Sequence, residues 1–449
     1  MAELHKLSAV QAARQIALRR FSPVELLDAL LARIERLEPN LRAWVTIDAD
    51  GARAAARDAE STLTTRSATL GPLHGVPCGL KDIYLARGLP TAAGYGPLKD
   101  SIAAEDAETV SRLREAGAIV LGKTVTTQWA SSDPSPTANP WHPDRTPGGS
   151  SSGSGAAVAA RCVPFALGTQ TGGSILRPAA YNGVVGLKPT YGRVSRRGVY
   201  PLAWSLDHCG PIARTVADAA LVLGVVAGHD PADPRSLTAP VPRYSASLRG
   251  VGPPTLGVLP QFMERADPHV RTHIEGVIRA FESAGATVRE VALPSPIDLY
   301  LAAQRLTMQA EATAVHAAWL ARDPDPYSPH IRAEIMVGQL VPGTAYLHAQ
   351  RIRRRLAAET AAALTGIDAF ILPTASNVAP DPSTTGDPSF QAPWSLLGLP
   401  AISLPSGLDA DGLPYGVQLV GALLAEPTLL KVAAWCERLL AFDATPPLT

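Results

Sequence analysis

The sequence predicts an α/β fold on three observations. An amphipathic helix at 107–117 ends on Gly117 and passes straight into a buried strand at 118–122. The same order recurs at 268–284, a helix, and 287–291, a strand. Hydrophobic residues make up 46% of 449, which is ample for a large core and unlike a disordered chain.

The elements follow in chain order. Residues 7–37 read as a pair of helices, the second entered through Ser22-Pro23-Val24-Glu25, a capping box with proline at the first helical position. A short strand is expected at 42–48 and an Ala-rich helix at 51–63. Residues 73–83 form a Gly/Pro-punctuated strand that carries Lys81 near its apolar end. Residues 131–147 are loop, and 156–167 are apolar and buried. A helix is expected at 215–227, an exposed excursion at 229–250, and Ala-rich helices at 300–320 and 345–364. A core strand at 367–373 and a Pro/Ser/Thr/Asn loop at 374–389 precede two closing strands, near 401–405 and 415–421. No internal repeat is evident.

Composition narrows the function. Lys+Arg and Asp+Glu both total 40, which argues against a general footprint for nucleic acid or an anionic membrane. The N-terminus lacks a basic region followed by an apolar one, and no apolar run reaches transmembrane length, so a cytoplasmic protein is expected. Cys78, Cys162, Cys209 and Cys436 are far apart and read as buried free thiols. His269 and His273 have zinc-ligand spacing, but Val270 follows the first and no third ligand is marked, so no metal is expected. No phosphate-binding or dinucleotide fingerprint occurs, and no cofactor is expected.

The chemistry concentrates at 147–174. Pro147-Gly-Gly-Ser-Ser-Ser-Gly-Ser-Gly155 and Gly168-Thr-Gln-Thr-Gly-Gly-Ser174 place glycine-flanked serines on either side of one apolar segment. Glycine lets backbone N–H groups approach a ligand closely, and successive free N–H groups form an anion-binding nest. A serine hydroxyl needs a base to become a nucleophile. A lysine buried near Leu80 and Ile83 falls below its usual pKa of ~10.4 and becomes one. Ser174, Ser150 and Lys81 then form a proton path without histidine. An alternative remains at this point. Gly149-Ser150-Ser151-Ser152-Gly153 also fits the nucleophile elbow of an α/β-hydrolase-type esterase, with Ser151 central and His316, His330 or His348 recruited as base.

These stretches, with Gly183-Val-Val-Gly-Leu-Lys-Pro-Thr-Tyr-Gly192 and Leu73-His-Gly-Val-Pro-Cys-Gly-Leu-Lys81-Asp, strongly resemble the amidase signature family. The separation of Ser150 and Ser174, 174 − 150 = 24 residues, is the one that family uses. The likeness is strong over 71–227 and 396–421 and weakest between 230 and 370. It implies one α/β/α domain over 1–449, with a large mixed central β-sheet covered by helices, a signature core near 71–227 and a substrate-shaping region near 230–395. It also implies that Ser174 attacks a carbonyl, that Ser150, after a cis peptide bond, relays the proton, and that Lys81 is the base. The N–H groups of Thr171, Gly172, Gly173 and Ser174 would form the oxyanion hole. Small amides are the implied substrates, with aryl esters and carbamates open to the same acyl chemistry. Gln170 stands where aspartate is frequent in the family and is expected to support the loop. Gln128, Trp129, Tyr200, Trp204 and Trp394 are candidates for the pocket wall. The run Gly122-Lys-Thr-Val-Thr-Thr-Gln-Trp-Ala130 departs from the glutamine-tRNA amidotransferase subunit, so membership of such a complex stays an alternative. Monomer and homodimer are both open.

Overall fold

Side-chain caps fix where the chain first turns helical. Ser8 and Ser22 each accept the N–H three residues on, from Gln11 and Glu25, whose side chains reach back to the cap backbone. Helices Ala9–Ala17 and Pro23–Leu41 result, the latter burying Leu26, Leu27, Leu30 and Ile34. The computed structural model describes residues 3–64, 69–250 and 252–448. Met1 and Ala2, part of the leader reading, lie outside the described residues.

One sheet holds the described strands: β1 Trp44–Ile47, β2 Pro77–Lys81, β3 Ile119–Thr124, β4 Phe165–Gln170, β5 Val185–Lys188, β6 His208–Ala213, β7 Thr255–Val258, β8 Thr287–Glu290, β9 Ala369–Pro373, β10 Ala401–Leu408 and β11 Pro414–Val420. Their order is β1-β3-β2-β4-β6-β5-β10-β11-β9-β7-β8. The sheet is mixed. β3, β2 and β4 run parallel, as do β9, β7 and β8, while β6, β5, β10 and β11 join these groups through antiparallel pairs. β2, β3, β4 and β6 are buried along their whole length, as strands covered by helices on both faces must be.

Several expectations shift. The helix after the serine-rich turn, Ser152–Ala159, begins before the apolar run at 156, so Gly153 and Gly155 are helical. A Cβ on Gly153 would lie 2.2 Å from the Ala43 carbonyl oxygen, so this helix rests on backbone that only glycine admits. The excursion at 229–250 is anchored. Asp230 accepts from Ser195 Oγ at 2.6 Å and pairs with Arg197, and Asp233 pairs with Arg196. Helices Pro329–Gln339 and Glu426–Leu440 had not been anticipated. Among the described residues no helix is long and apolar enough to cross a membrane. The cysteines are free and buried.

Candidate active site

Register brings the site together. β2 and β4 are parallel neighbours with Leu80 opposite Leu167, so their carboxyl ends lie side by side. Open α/β sheets gather ligands at that edge. Lys81 closes β2, and Thr169 and Gln170 close β4. Lys81 is 0% exposed, and its Nζ donates to Ser150 Oγ and Thr169 Oγ1, both at 2.7 Å.

The partners of three buried lysines differ. Lys123, on the adjacent β3, has the Asp82 carboxylate at 2.9 Å. Lys188 donates to the carbonyl oxygens of Leu399 and Pro189. Lys81 meets hydroxyls and, among the described residues, no carboxylate within ion-pair distance. Burial pushes its pKa down to about 7, against smaller opposing effects of Asp207 and Cys209. A neutral amine can donate to Thr169 while its lone pair accepts the Ser150 proton.

Ser150 sits in a turn held from outside. The Gly149–Ser150 peptide bond is cis. Arg177 Nη2 donates to the Gly149 carbonyl at 2.8 Å, Asn182 Nδ2 to that of Pro147 at 2.7 Å, and Ser152 Oγ to that of Gly148 at 2.7 Å. The Ser150 carbonyl accepts from Thr127 N–H at 3.2 Å. Ser150 is fully buried, and Lys81 holds its hydroxyl.

Beyond β4 the chain turns through 171–175 into helix Leu176–Tyr181. The carbonyls of Thr171, Gly172 and Gly173 are engaged by Gln304 Nε2, Ser395 Oγ and Arg177 N–H. The N–H groups of Thr171, Gly172, Gly173 and Ser174 have no acceptor among the described residues. Such a row of unpartnered N–H groups suits developing negative charge. Gln170 shapes it, because its Oε1 accepts the next N–H groups, from Ile175 and Leu176, both at 3.0 Å, and its Nε2 donates to Ser395 Oγ. Gln170 is thus a loop support, as expected. Gln170→Ala orphans both buried N–H groups, at ~1–3 kcal/mol each. It should lower both melting temperature and kcat, and Gln170→Glu, which keeps the acceptor, should recover much of each. Thermal melts beside steady-state rates check this.

Ser174 is 7% exposed, and its hydroxyl has no hydrogen-bond partner among the described residues. The structure therefore makes the Lys81–Ser150 contact and leaves the Ser150–Ser174 contact unmade. A cavity of about 390 Å³ adjoins the site at Thr169 and Thr171, walled by Ile83, Val199, Leu202 and Trp204 among others.

A sequence model of the family described as Amidase matches residues 25–430. The chain belongs to the amidase signature family. It is 39% identical over 456 residues to a protein named "Amidase" from Pseudomonas putida, covering 98% of this chain and 97% of that one. It is also 39% identical over 480 residues to a glutamyl-tRNA(Gln) amidotransferase subunit of Myxococcus xanthus, covering 97% and 98%. A solved peptide amidase from Stenotrophomonas maltophilia superposes with a TM-score of 0.86 at 33% identity, over 99% of each chain. The mixed α/β fold with its large central sheet is that of the family. The chain is an amidase-family hydrolase of C–N bonds.

The structure corrects part of the site expected from the sequence. Tyr200 and Trp204 line the cavity. Trp129 stands behind it, packed edge-on against Tyr200 at 5.5 Å, while its neighbour Ala130 reaches the wall. Gln128 anchors the turn at 326–328, donating to the Pro326 carbonyl and accepting the Ser328 N–H. Trp394 is no pocket residue. It is 0% exposed, packed between Phe262 and Phe370, with its indole N–H on the Phe390 carbonyl. Trp394→Ala should cost about 3–5 kcal/mol of stability, read by denaturant unfolding.

Ser151 is not placed as an elbow nucleophile. It is fully buried, and its hydroxyl bonds the backbone N–H and carbonyl of Thr169, both at 3.3 Å. The residues before it form no strand. His330 contacts the Ser132 carbonyl, and His316 packs on Trp129, where burial pushes it down to about 4. His273 stacks on Tyr415 and bonds Ser406. Among the described residues no group of His, Cys, Asp and Glu could hold a metal ion. Sequence reasoning missed Thr169 as the second acceptor of Lys81, although it lies inside the quoted Gly168-Thr-Gln run. No local signal marks it, because the contact depends on β2 and β4 being neighbours in the sheet.

Proposed function

We propose that the chain hydrolyses small amides through an acyl-enzyme on Ser174, with Ser150 as proton relay and neutral Lys81 as base. Ser174 Oγ attacks the carbonyl carbon as its proton moves to Ser150 and the Ser150 proton moves to Lys81. The C=O π pair becomes an oxyanion facing the N–H groups of Thr171, Gly172, Gly173 and Ser174. Collapse expels the amine, which takes a proton back from Lys81 through Ser150. Water then attacks the acyl-enzyme by the reverse path, releasing the acid and free Ser174. The Ser174–Ser150 contact, open in the structure, closes when substrate seats, as catalytic hydrogen bonds commonly do.

The observation that carries this reading is a fully buried Lys81 whose Nζ contacts Ser150 Oγ and has, among the described residues, no carboxylate within ion-pair distance. Aryl esters and carbamates fit the same acyl chemistry, since only the leaving group changes. The purified chain is expected to turn over an anilide, an aryl carbamate or an aryl ester in a substrate panel. No turnover of any of them by a folded, pure chain would contradict the reading. That result would instead favour the second reading, a component working within a larger complex, which the similarity to the Myxococcus amidotransferase protein supports.

The cavity wall gives a separate expectation. Trp204 is 48% exposed and lines the cavity, while its side chain takes no part in the contacts of Lys81. Trp204→Ala should raise KM several-fold with kcat within about twofold, because uniform binding is what it removes. Initial rates across a concentration series read both constants.

A further inference from the structure

We propose that Asp207 is a positioning residue of this site, tying the first of the free N–H groups to the cavity wall. The proposal deepens the acyl-enzyme reading and rests on it. Asp207 lines the cavity just before β6. Its Oδ1 accepts from Thr171 Oγ1 at 2.5 Å, a charge-assisted contact. Its Oδ2 accepts the N–H groups of Leu202 at 2.9 Å and Ala203 at 3.0 Å. One carboxylate thus joins the residue that opens the N–H row to the segment that walls the pocket. Thr171 is held on its other side by Gln304, which reaches its carbonyl. The direction of the Thr171 N–H is therefore set by partners on separate elements, and small misplacement of such a group is costly to rate.

The titratable groups facing Asp207 are Lys81 from β2, Cys209 from β6, Tyr191, and Arg196, which lines the same cavity. None of the cations forms an ion pair with it among the described residues, where Arg196 pairs with Asp233. Arg196 acts on Asp207 across space, and the Asp207 charge acts in turn on Lys81. That charge favours the protonated amine and opposes the burial that lowers the lysine. Burial raises Asp207 itself to about 6, so it is ionised at neutral pH.

The test is kcat/KM against pH for an anilide, on the full chain. Asp207→Asn should lower kcat roughly 10- to 100-fold, and should move the midpoint of the acid limb to lower pH by at least about half a unit. A residue that merely supported the fold would lower activity without moving that midpoint. Thr171→Val keeps the carboxylate and breaks the tether, so kcat should fall by a similar factor with the midpoint unmoved. Thr171→Ser, which keeps the hydroxyl, should restore the rate. An unmoved acid limb in Asp207→Asn, or wild-type kcat in Thr171→Val, would overturn the proposal. Should Asp207→Asn fail to fold, the Thr171 pair still decides the tether. Retained activity in Ser174→Ala or Lys81→Met would mark failure of the acyl-enzyme reading itself, separately from Asp207.

Discussion

Ser174→Ala should reduce kcat on an anilide by on the order of 10⁴- to 10⁶-fold. The size follows from what is removed. Without Oγ no acyl-enzyme forms, and what remains is water held near the N–H row. The fold should hardly notice, because the Ser174 hydroxyl has no hydrogen-bond partner among the described residues. KM should therefore stay within a few-fold of wild type and the melting temperature within a degree or two. Intact mass after incubation with an aryl carbamate should show one carbamoyl adduct on wild type and none on the variant. Ser151→Ala makes the comparison. It loses bonds to the Thr169 backbone, so it should lose stability while keeping the adduct. An adduct on Ser174→Ala, absent from Ser151→Ala, would move the nucleophile and undo the assignment.

Lys81→Met should lower kcat by at least roughly 10²- to 10⁴-fold, the range for losing a general base, and should also raise the melting temperature. The second half follows from linkage. In the unfolded chain the lysine binds its proton until near its usual value of 10.5, and in the folded one only until about 7. Between those values the folded state holds fewer protons, so wild-type stability climbs with pH across that window. Below about 7 the folded state carries a buried charge and bears the full cost. Methionine has similar length and no charge, so the variant should be the more stable below about pH 10, with the gap widest at and below neutrality. Loss of activity with gain of stability is a known trade at functional sites. Activity has the opposite dependence on the same proton. Protonated Lys81 cannot accept from Ser150, so kcat/KM should fall about tenfold per pH unit below about 7.

Much of this site was legible in the chain because it is built from local signals. Paired glycines just before Ser150 and Ser174 announce backbone that must turn tightly, and Leu80 and Ile83 around Lys81 announce a lysine without water. The capping box at Ser22 is likewise local and formed as written, while the one at Ser8 was not read from the sequence. What escaped depends on pairs distant in sequence. Thr169 becomes a partner of Lys81 because β2 and β4 are neighbours, and Asp207 meets Thr171 across 36 residues. Trp394 looked like a pocket residue because it lies near the closing strands, yet helix Ala392–Leu397 turns it into Phe262 and Phe370. The Ser152–Ala159 helix began early because close approach to Ala43 and Val125 makes glycine an asset there, against its ordinary helix propensity. The unforeseen helix Pro329–Gln339 buries Ile331, Ile335 and Gly338, a stripe too narrow to read without its partner, the helix Ile297–Arg322.

The protonation state of one nitrogen carries the account. Titration of Lys81 Nζ by NMR, in protein labelled with ¹⁵N-lysine and assigned with Lys81→Met, observes it directly. A midpoint near 7 is the result required, and a midpoint above 9 would mean an ammonium at working pH, unable to take a proton from Ser150.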